Sequence, residues 1–158
     1  MRGLAWQRRT GRPRTSAEPQ LLDLTTEFGA RANRRLREEL IGWLVTVNPA
    51  GAPVPVPVWF LWDGAGSLLI YSRPGAPKLR NIAANPRVSV HLDGDGAGGD
   101  VVVVSGRARV SDDPGADGVD AYIAKYGERI SRNGWTPASF AADYAVPIRV
   151  DVTRISGH

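Results

Sequence analysis

Residues 54–72 read VPVPVWFLWDGAGSLLIYS, and this stretch decides the fold. Val54, Val56 and Val58 alternate with Pro55 and Pro57 at the two-residue period of a strand, which then runs on through Trp59-Phe60-Leu61-Trp62. Asp63-Gly64-Ala65-Gly66 is a hairpin turn, and Ser67 to Ser72 forms the returning strand. Proline has no N–H, so a strand carrying two of them lies at a sheet edge or faces a gap or ligand. Upstream, residues Leu40–Val47 form a first strand that ends in the turn Asn48-Pro49-Ala50-Gly51, and Asn33–Glu39 form a short charged helix with Asn33 as its cap. Downstream, Leu79, Ile82 and Ala83 space a helix over Pro77–Asn85, which Pro86 ends. Arg87–Asp93 and Val101–Val110 form a second long hairpin around the tip Gly94–Asp100. A helix over Asp113–Tyr126, a polar stretch over Gly127–Pro137, a short helix over Ala138–Tyr144 and a closing strand over Val146–Ile155 complete the chain. This gives six strands joined mostly by hairpins, without strand–helix alternation. The expected fold class is mainly β, a six-stranded antiparallel barrel with short flanking helices.

The chain has 158 residues, enough for one hydrophobic core. Apolar residues make up 42% and charged residues 23%, the balance of a folded globular domain. No apolar run is long enough to cross a membrane as a helix, and the start lacks a secretory signal's apolar stretch. Cysteine is absent, which removes disulfides and thiolate chemistry and suits a reducing, cytoplasmic setting. The formal charge is +4, yet Arg2, Arg8, Arg9, Arg12 and Arg14 lie in the first sixteen residues with no acid among them, so the remainder carries −1. We therefore divide the chain into a basic tail, residues 1–17, and a folded domain, residues 18–158. The tail is either a disordered leader or a functional basic arm. A nucleic-acid binder spreads its positive charge over a folded face, and this chain does not.

The chemistry-bearing cluster follows the central hairpin. Ser72 and Arg73 end a strand, and Lys78, Arg80 and Asn81 begin the next helix, whose first N–H groups lack helical partners. A guanidinium fork, a mobile ammonium and a helix start suit a phosphate ester. The same residues also fit an ordinary solvated basic turn. Val56, Val58, Trp59 and Leu61 could wall a flat ring. No metal site is expected, because His91 and His158 are the only histidines and no carboxylate set has ligand spacing. His91, within a strand, reads as structural. No P-loop or dinucleotide fingerprint is present; Gly94–Gly99 lacks the strand–turn–helix setting.

The stretch from Pro55 to Leu92, with Val101–Val110, resembles the split-barrel flavin-binding superfamily related to pyridoxamine 5′-phosphate oxidase. Its most specific part is Ser72-Arg73, Lys78, Asn81-Ile82 and Asn85-Pro86-Arg87 in order, and the likeness runs from about Phe28 to the C-terminus. Within the superfamily the chain is most similar to the actinobacterial branch of deazaflavin (coenzyme F420)-dependent enzymes. The resemblance implies a homodimer with a cofactor groove between protomers. It implies that Ser72, Arg73 and Lys78 contact the cofactor phosphate, with Arg80 and Asn81 as further supports. Val56, Pro57, Val58 and Trp59 would then line the ring, with Arg132 and Trp135 closing the pocket from the partner's side. The C-terminus lacks the Arg-Leu motif of the vitamin-synthesising oxidases, so the likeness does not extend to that reaction.

The resemblance implies a reductase or dehydrogenase: the cofactor carries hydride chemistry at C5, and the protein positions it against a small organic acceptor. No catalytic side chain is assigned; Tyr71 and Tyr126 are candidate proton donors beside solvent. Two rivals remain. One is FMN in the same fold, as an oxidase or reductase; Arg80, Arg129 and Arg132 would favour the longer acidic tail of the deazaflavin. The other is a non-catalytic cofactor- or haem-binding module with His91 as the internal axial ligand.

Overall fold

The computed structural model describes residues 20–158; the proposed basic tail, residues 1–17, lies outside them. The elements are α1 (Glu27–Glu38), β1 (Gly42–Val47), β2 (Pro53–Val58), β3 (Leu61–Trp62), β4 (Ser67–Ser72), α2 (Pro77–Ala84), β5 (Arg87–His91), β6 (Val102–Val110), a single 3-10 turn at Ala116–Gly118, α3 (Asp120–Arg132), α4 (Pro137–Asp143) and β7 (Val146–Gly157). Seven strands form one antiparallel sheet in the order β2-β1-β5-β6-β7-β4-β3. Its two edge strands are consecutive in the chain, so the sheet curls into a split barrel.

The strand count is therefore seven and not six, because the run Val54–Trp62 breaks at Trp59-Phe60. Val58 is the last residue paired to β1, and Leu61 is the first paired to β4, at the opposite edge. At the break the Tyr126 hydroxyl takes over the work of a ladder. It accepts from the Phe60 N–H at 2.8 Å and lies 2.8 Å from the Phe60 carbonyl and 2.9 Å from that of Leu40. The Lys125 ammonium donates to the Phe60 carbonyl at 2.9 Å and sits 4.0 Å above the Phe60 ring. Alternation of apolar side chains continues across the break, so the pattern hides it.

The first helix starts earlier than its charged segment suggests. Thr26, not Asn33, is its cap, accepting from the Gly29 N–H at 3.0 Å. Gly29, inside the first turn, is required by packing, since a Cβ there would lie 1.9 Å from the Asp23 carbonyl oxygen. Asn33 instead accepts from the Trp62 indole at 3.0 Å. Arg35, buried, donates to the backbone carbonyls of Asp93 and Asp100, pinning the β5–β6 hairpin to α1.

The expected helix over Asp113–Tyr126 is also shifted. Pro114, Gly115 and Gly118 allow only the 3-10 turn, and α3 then continues to Arg132 through most of the supposed polar stretch. Tyr122, Tyr126 and Ile130, spaced four apart, make its buried stripe. The closing strand runs on to Gly157, with a register shift at Ser105/Gly106. Gly106 is needed there, because a Cβ would meet the Asp151 carbonyl oxygen at 2.6 Å.

Two apolar clusters result. The barrel interior gathers Leu44, Phe60, Leu68, Ile70, Val90, Val104, Ile148 and their neighbours. A second cluster lies outside β4, where Leu69 and Tyr71 meet α3 and α4. No described helix is long and apolar enough to cross a membrane.

Candidate functional site

Pro53, Pro55 and Pro57 stand opposite Val47, Val45 and Trp43 in the β1–β2 ladder. They cannot donate to it, so the ladder uses Val54, Val56 and Val58, and the free edge of β2 presents carbonyl acceptors without N–H donors. This acceptor-only edge resists addition of another strand and leaves carbonyls for a ligand.

Where β2 ends, Pro57, Val58 and Trp59 form one wall of a cavity of about 280 Å³. The other walls are Tyr71, Lys78, Tyr122, Asn133, Trp135, Phe140 and Tyr144. Trp59 stacks on Tyr126 at 4.9 Å and on Phe140 at 5.4 Å, so its plane is fixed by the outer cluster.

Lys78 brings a charge to this apolar site. It is half-buried, and that burial holds its ammonium below the ordinary lysine value. No carboxylate partners it among the described residues; its polar neighbour is the Ser72 hydroxyl at 3.5 Å. Ser72 is buried and donates to the Arg73 carbonyl at 3.0 Å. The N-terminus of α2 beside Lys78 has Ala76 at the cap with no side-chain hydrogen bond, and no acid in its first turn. A desolvated cation beside an uncapped helix start is chemically suited to an anion. Arg73, 57% exposed at its side chain, lies at the rim with its guanidinium 4.9 Å above the Tyr144 ring and 4.0 Å from the Asp143 carboxylate.

The structure thus brings together Pro57, Val58, Trp59, Ser72, Arg73, Lys78 and Trp135. The other expected residues stand apart. Val56 packs against the barrel interior. Asn81 is buried and donates to Thr46 at 3.0 Å, tying α2 to β1. Arg80 is exposed on α2. Arg132 pairs with Glu128 on α3, and its neighbour Asn133 reaches the cavity instead. His91 is not internal, contrary to the expectation for it as an axial ligand inside the barrel. It alternates with the inward Val88 and Val90 and stacks on Trp43 at 6.4 Å. Among the described residues no three of His, Asp or Glu gather as metal ligands.

The two candidate proton donors have other work. Tyr71 donates to the Pro114 carbonyl at 2.6 Å, and burial pushes its hydroxyl up to about 12. Burial likewise raises Tyr126, whose hydroxyl is held at the crossover. Tyr122, Phe140 and Tyr144 went unread in the sequence. The signal was there in the four-residue spacing of Tyr122, Tyr126 and Ile130 and in the aromatic density from Tyr122 to Tyr144.

A curled antiparallel sheet with a basic strand–helix turn beside a ring-sized cavity defines the class of split-barrel proteins. The pyridoxamine 5′-phosphate oxidase family model matches residues 28–158, and the chain belongs to that family. Among solved structures it is similar to an F420 reductase, at 31% identity and a TM-score of 0.58, covering 78% of this chain and 94% of the other. A conserved hypothetical protein of Mycobacterium tuberculosis, at 22% identity and a TM-score of 0.62, covers 89% and 88%. HutZ, the heme storage protein of Vibrio cholerae, at 16% identity and a TM-score of 0.55, covers 78% and 90%; these last two show the fold alone. No curated protein matches the chain significantly.

Proposed function

We propose that this chain is an F420-dependent oxidoreductase that moves a hydride between the deazaflavin and a small organic acceptor. The observation that carries the reading is Lys78, a half-buried ammonium without a carboxylate partner, placed where an uncapped helix start meets a ring-sized apolar cavity. The likeness to an F420 reductase at 31% identity supports the deazaflavin over FMN.

The residues present fit such a cofactor. Lys78, Ser72 and Arg73 would hold its phosphate, and Pro57, Val58 and Trp59 would bound its ring. Carbonyls on the free edge of β2 would accept from ring N–H groups. When bound, the cofactor supplies hydride chemistry at C5. The chain's own part is to fix the anion, exclude water with Trp59, Trp135, Phe140 and Tyr144, and orient the acceptor. The phosphate contacts act equally in ground and transition states, so they set affinity more than rate.

We also propose that the protein works as a homodimer. Trp43, Val45 and Val47 on the outward face of β1 stay half-exposed, as do His91 and Val103 in line with Trp43 on the next two strands, and the exposed edge prolines adjoin them. A second copy would cover this apolar strip and wall the groove along β2.

Fluorescence titration with F420 and, separately, with FMN tests the cofactor assignment. The reading expects saturable F420 binding at least tenfold tighter than FMN. Tighter FMN binding would place the chain among flavin oxidases or reductases, and binding of neither would refute the oxidoreductase reading.

A further inference from the structure

Tyr122 is 1% exposed, at the centre of the outer cluster, with Tyr71 edge-on at 5.0 Å and Tyr126 at 4.8 Å. Those two neighbours spend their hydroxyls on backbone groups, Tyr71 on Pro114 and Tyr126 on Phe60 and Leu40. The Tyr122 hydroxyl has no hydrogen-bond partner among the described residues. Tyr122 also lines the cavity that Trp59, Lys78 and Trp135 bound. A phenol in so apolar a setting, its ionisation raised by burial, stays protonated and offers a hydrogen bond. An unmet donor in a low-dielectric pocket favours a ligand carrying an acceptor at that point.

We infer that Tyr122 is a positioning residue that donates a hydrogen bond to the carbonyl-type oxygen of a flat ring held in the cavity that Trp59, Trp135 and Tyr144 line. The ring's source is either the hydride acceptor or the cofactor itself; the chemistry at Tyr122 is the same. At about 280 Å³ the cavity takes one small fused ring system and not a whole cofactor with its tail. The inference rests on the cavity being the ring end of the proposed site. Its test runs without cofactor, so it succeeds or fails apart from the phosphate anchor.

The probes are 1-indanone and indane, the same bicycle with and without a carbonyl. Binding is followed through the indole N–H resonances of Trp59 and Trp135 in the full-length protein. Wild type should bind indanone more tightly than indane. Tyr122→Phe should weaken indanone about fivefold to tenfold, the loss of one neutral hydrogen bond, while leaving indane and the melting temperature unchanged. Equal weakening of both probes would reduce Tyr122 to a packing residue and overturn the inference. So would loss of indanone binding in Lys78→Met but not in Tyr122→Phe, which would give the oxygen to the ammonium. Binding of neither probe to wild type would overturn it as well. Added F420 then separates the sources: displacement of indanone assigns the oxygen to the cofactor ring, and joint occupancy to the acceptor, with Tyr122 the donor in both.

Discussion

Leu68 and Ile70 of β4 point into the barrel, among mostly aliphatic side chains; Leu69 and Tyr71, one residue along, point outward into aromatic ones. All four tyrosines of the chain belong to that outer cluster, with Trp59, Trp135 and Phe140. Aliphatic side chains fill the interior without polar atoms to satisfy. The outer layer is built from rings whose hydroxyls and indoles need partners, and two of its short elements, the 3-10 turn and α4, have few ladder or helix bonds of their own. The cavity lies in the second region. The contrast implies that stability concentrates where packing is dry and uniform, and binding capacity where stiff rings leave a gap between them.

Emptying the interior should cost most. Phe60→Ala removes a fully buried ring at the sheet crossover, and a loss of about 3–5 kcal/mol in chemical denaturation is expected. If that loss were no greater than for an outer-layer truncation such as Trp135→Ala, the contrast between the regions would fail. Tyr126→Phe sharpens the boundary itself. It keeps the ring but strips the hydroxyl from the Phe60 N–H, and should cost about 1–3 kcal/mol, with a larger effect on the unfolding rate if the crossover forms late.

A smaller effect concerns acid. Asp113 receives two bonds from Arg149, at 2.7 and 2.8 Å, and one from Ser111 at 2.6 Å. The Arg149 bonds are the main cause that lowers its carboxyl from 3.8 to about 2. A folded-state value below the unfolded one contributes stability that is fully present above pH 4 and is lost as pH falls toward 2. That contribution is roughly 1–2 kcal/mol, given the group's partial exposure. Urea midpoints between pH 5 and pH 2 should therefore fall less steeply in Asp113→Asn than in wild type. Least costly to the fold is Trp43→Asp, on the outward face. It should leave the chain folded and shift the mass seen by light scattering from that of the proposed dimer to that of a monomer.

Much of the barrel was legible because its strands alternate and its hairpins carry their own turn chemistry. Asp63 accepts from the N–H groups of Ala65, Gly66 and Ser67, a purely local device. The break at Trp59-Phe60 was not legible, since what stops the strand is a tyrosine hydroxyl sixty-six residues away. The start of α1 was masked by Gly29, whose role is set by a contact and not by propensity. The same distinction governs the site. Ser72, Arg73 and Lys78 fall within seven residues and could be read together. Tyr122, Asn133, Phe140 and Tyr144 arrive from α3, α4 and the segments that follow them. Only the packing of those helices on β4 shows that they face the same space.

The central claim is that Lys78 and its neighbours anchor a cofactor phosphate. Its most direct test compares F420 with the same deazaflavin riboside lacking the phosphate-linked tail, on wild type and on Lys78→Ala, by fluorescence titration. The account predicts that wild type binds the phosphate-bearing form at least tenfold more tightly, and that Lys78→Ala erases most of this preference while binding the tail-less form as before. A preference left intact in the variant would contradict it.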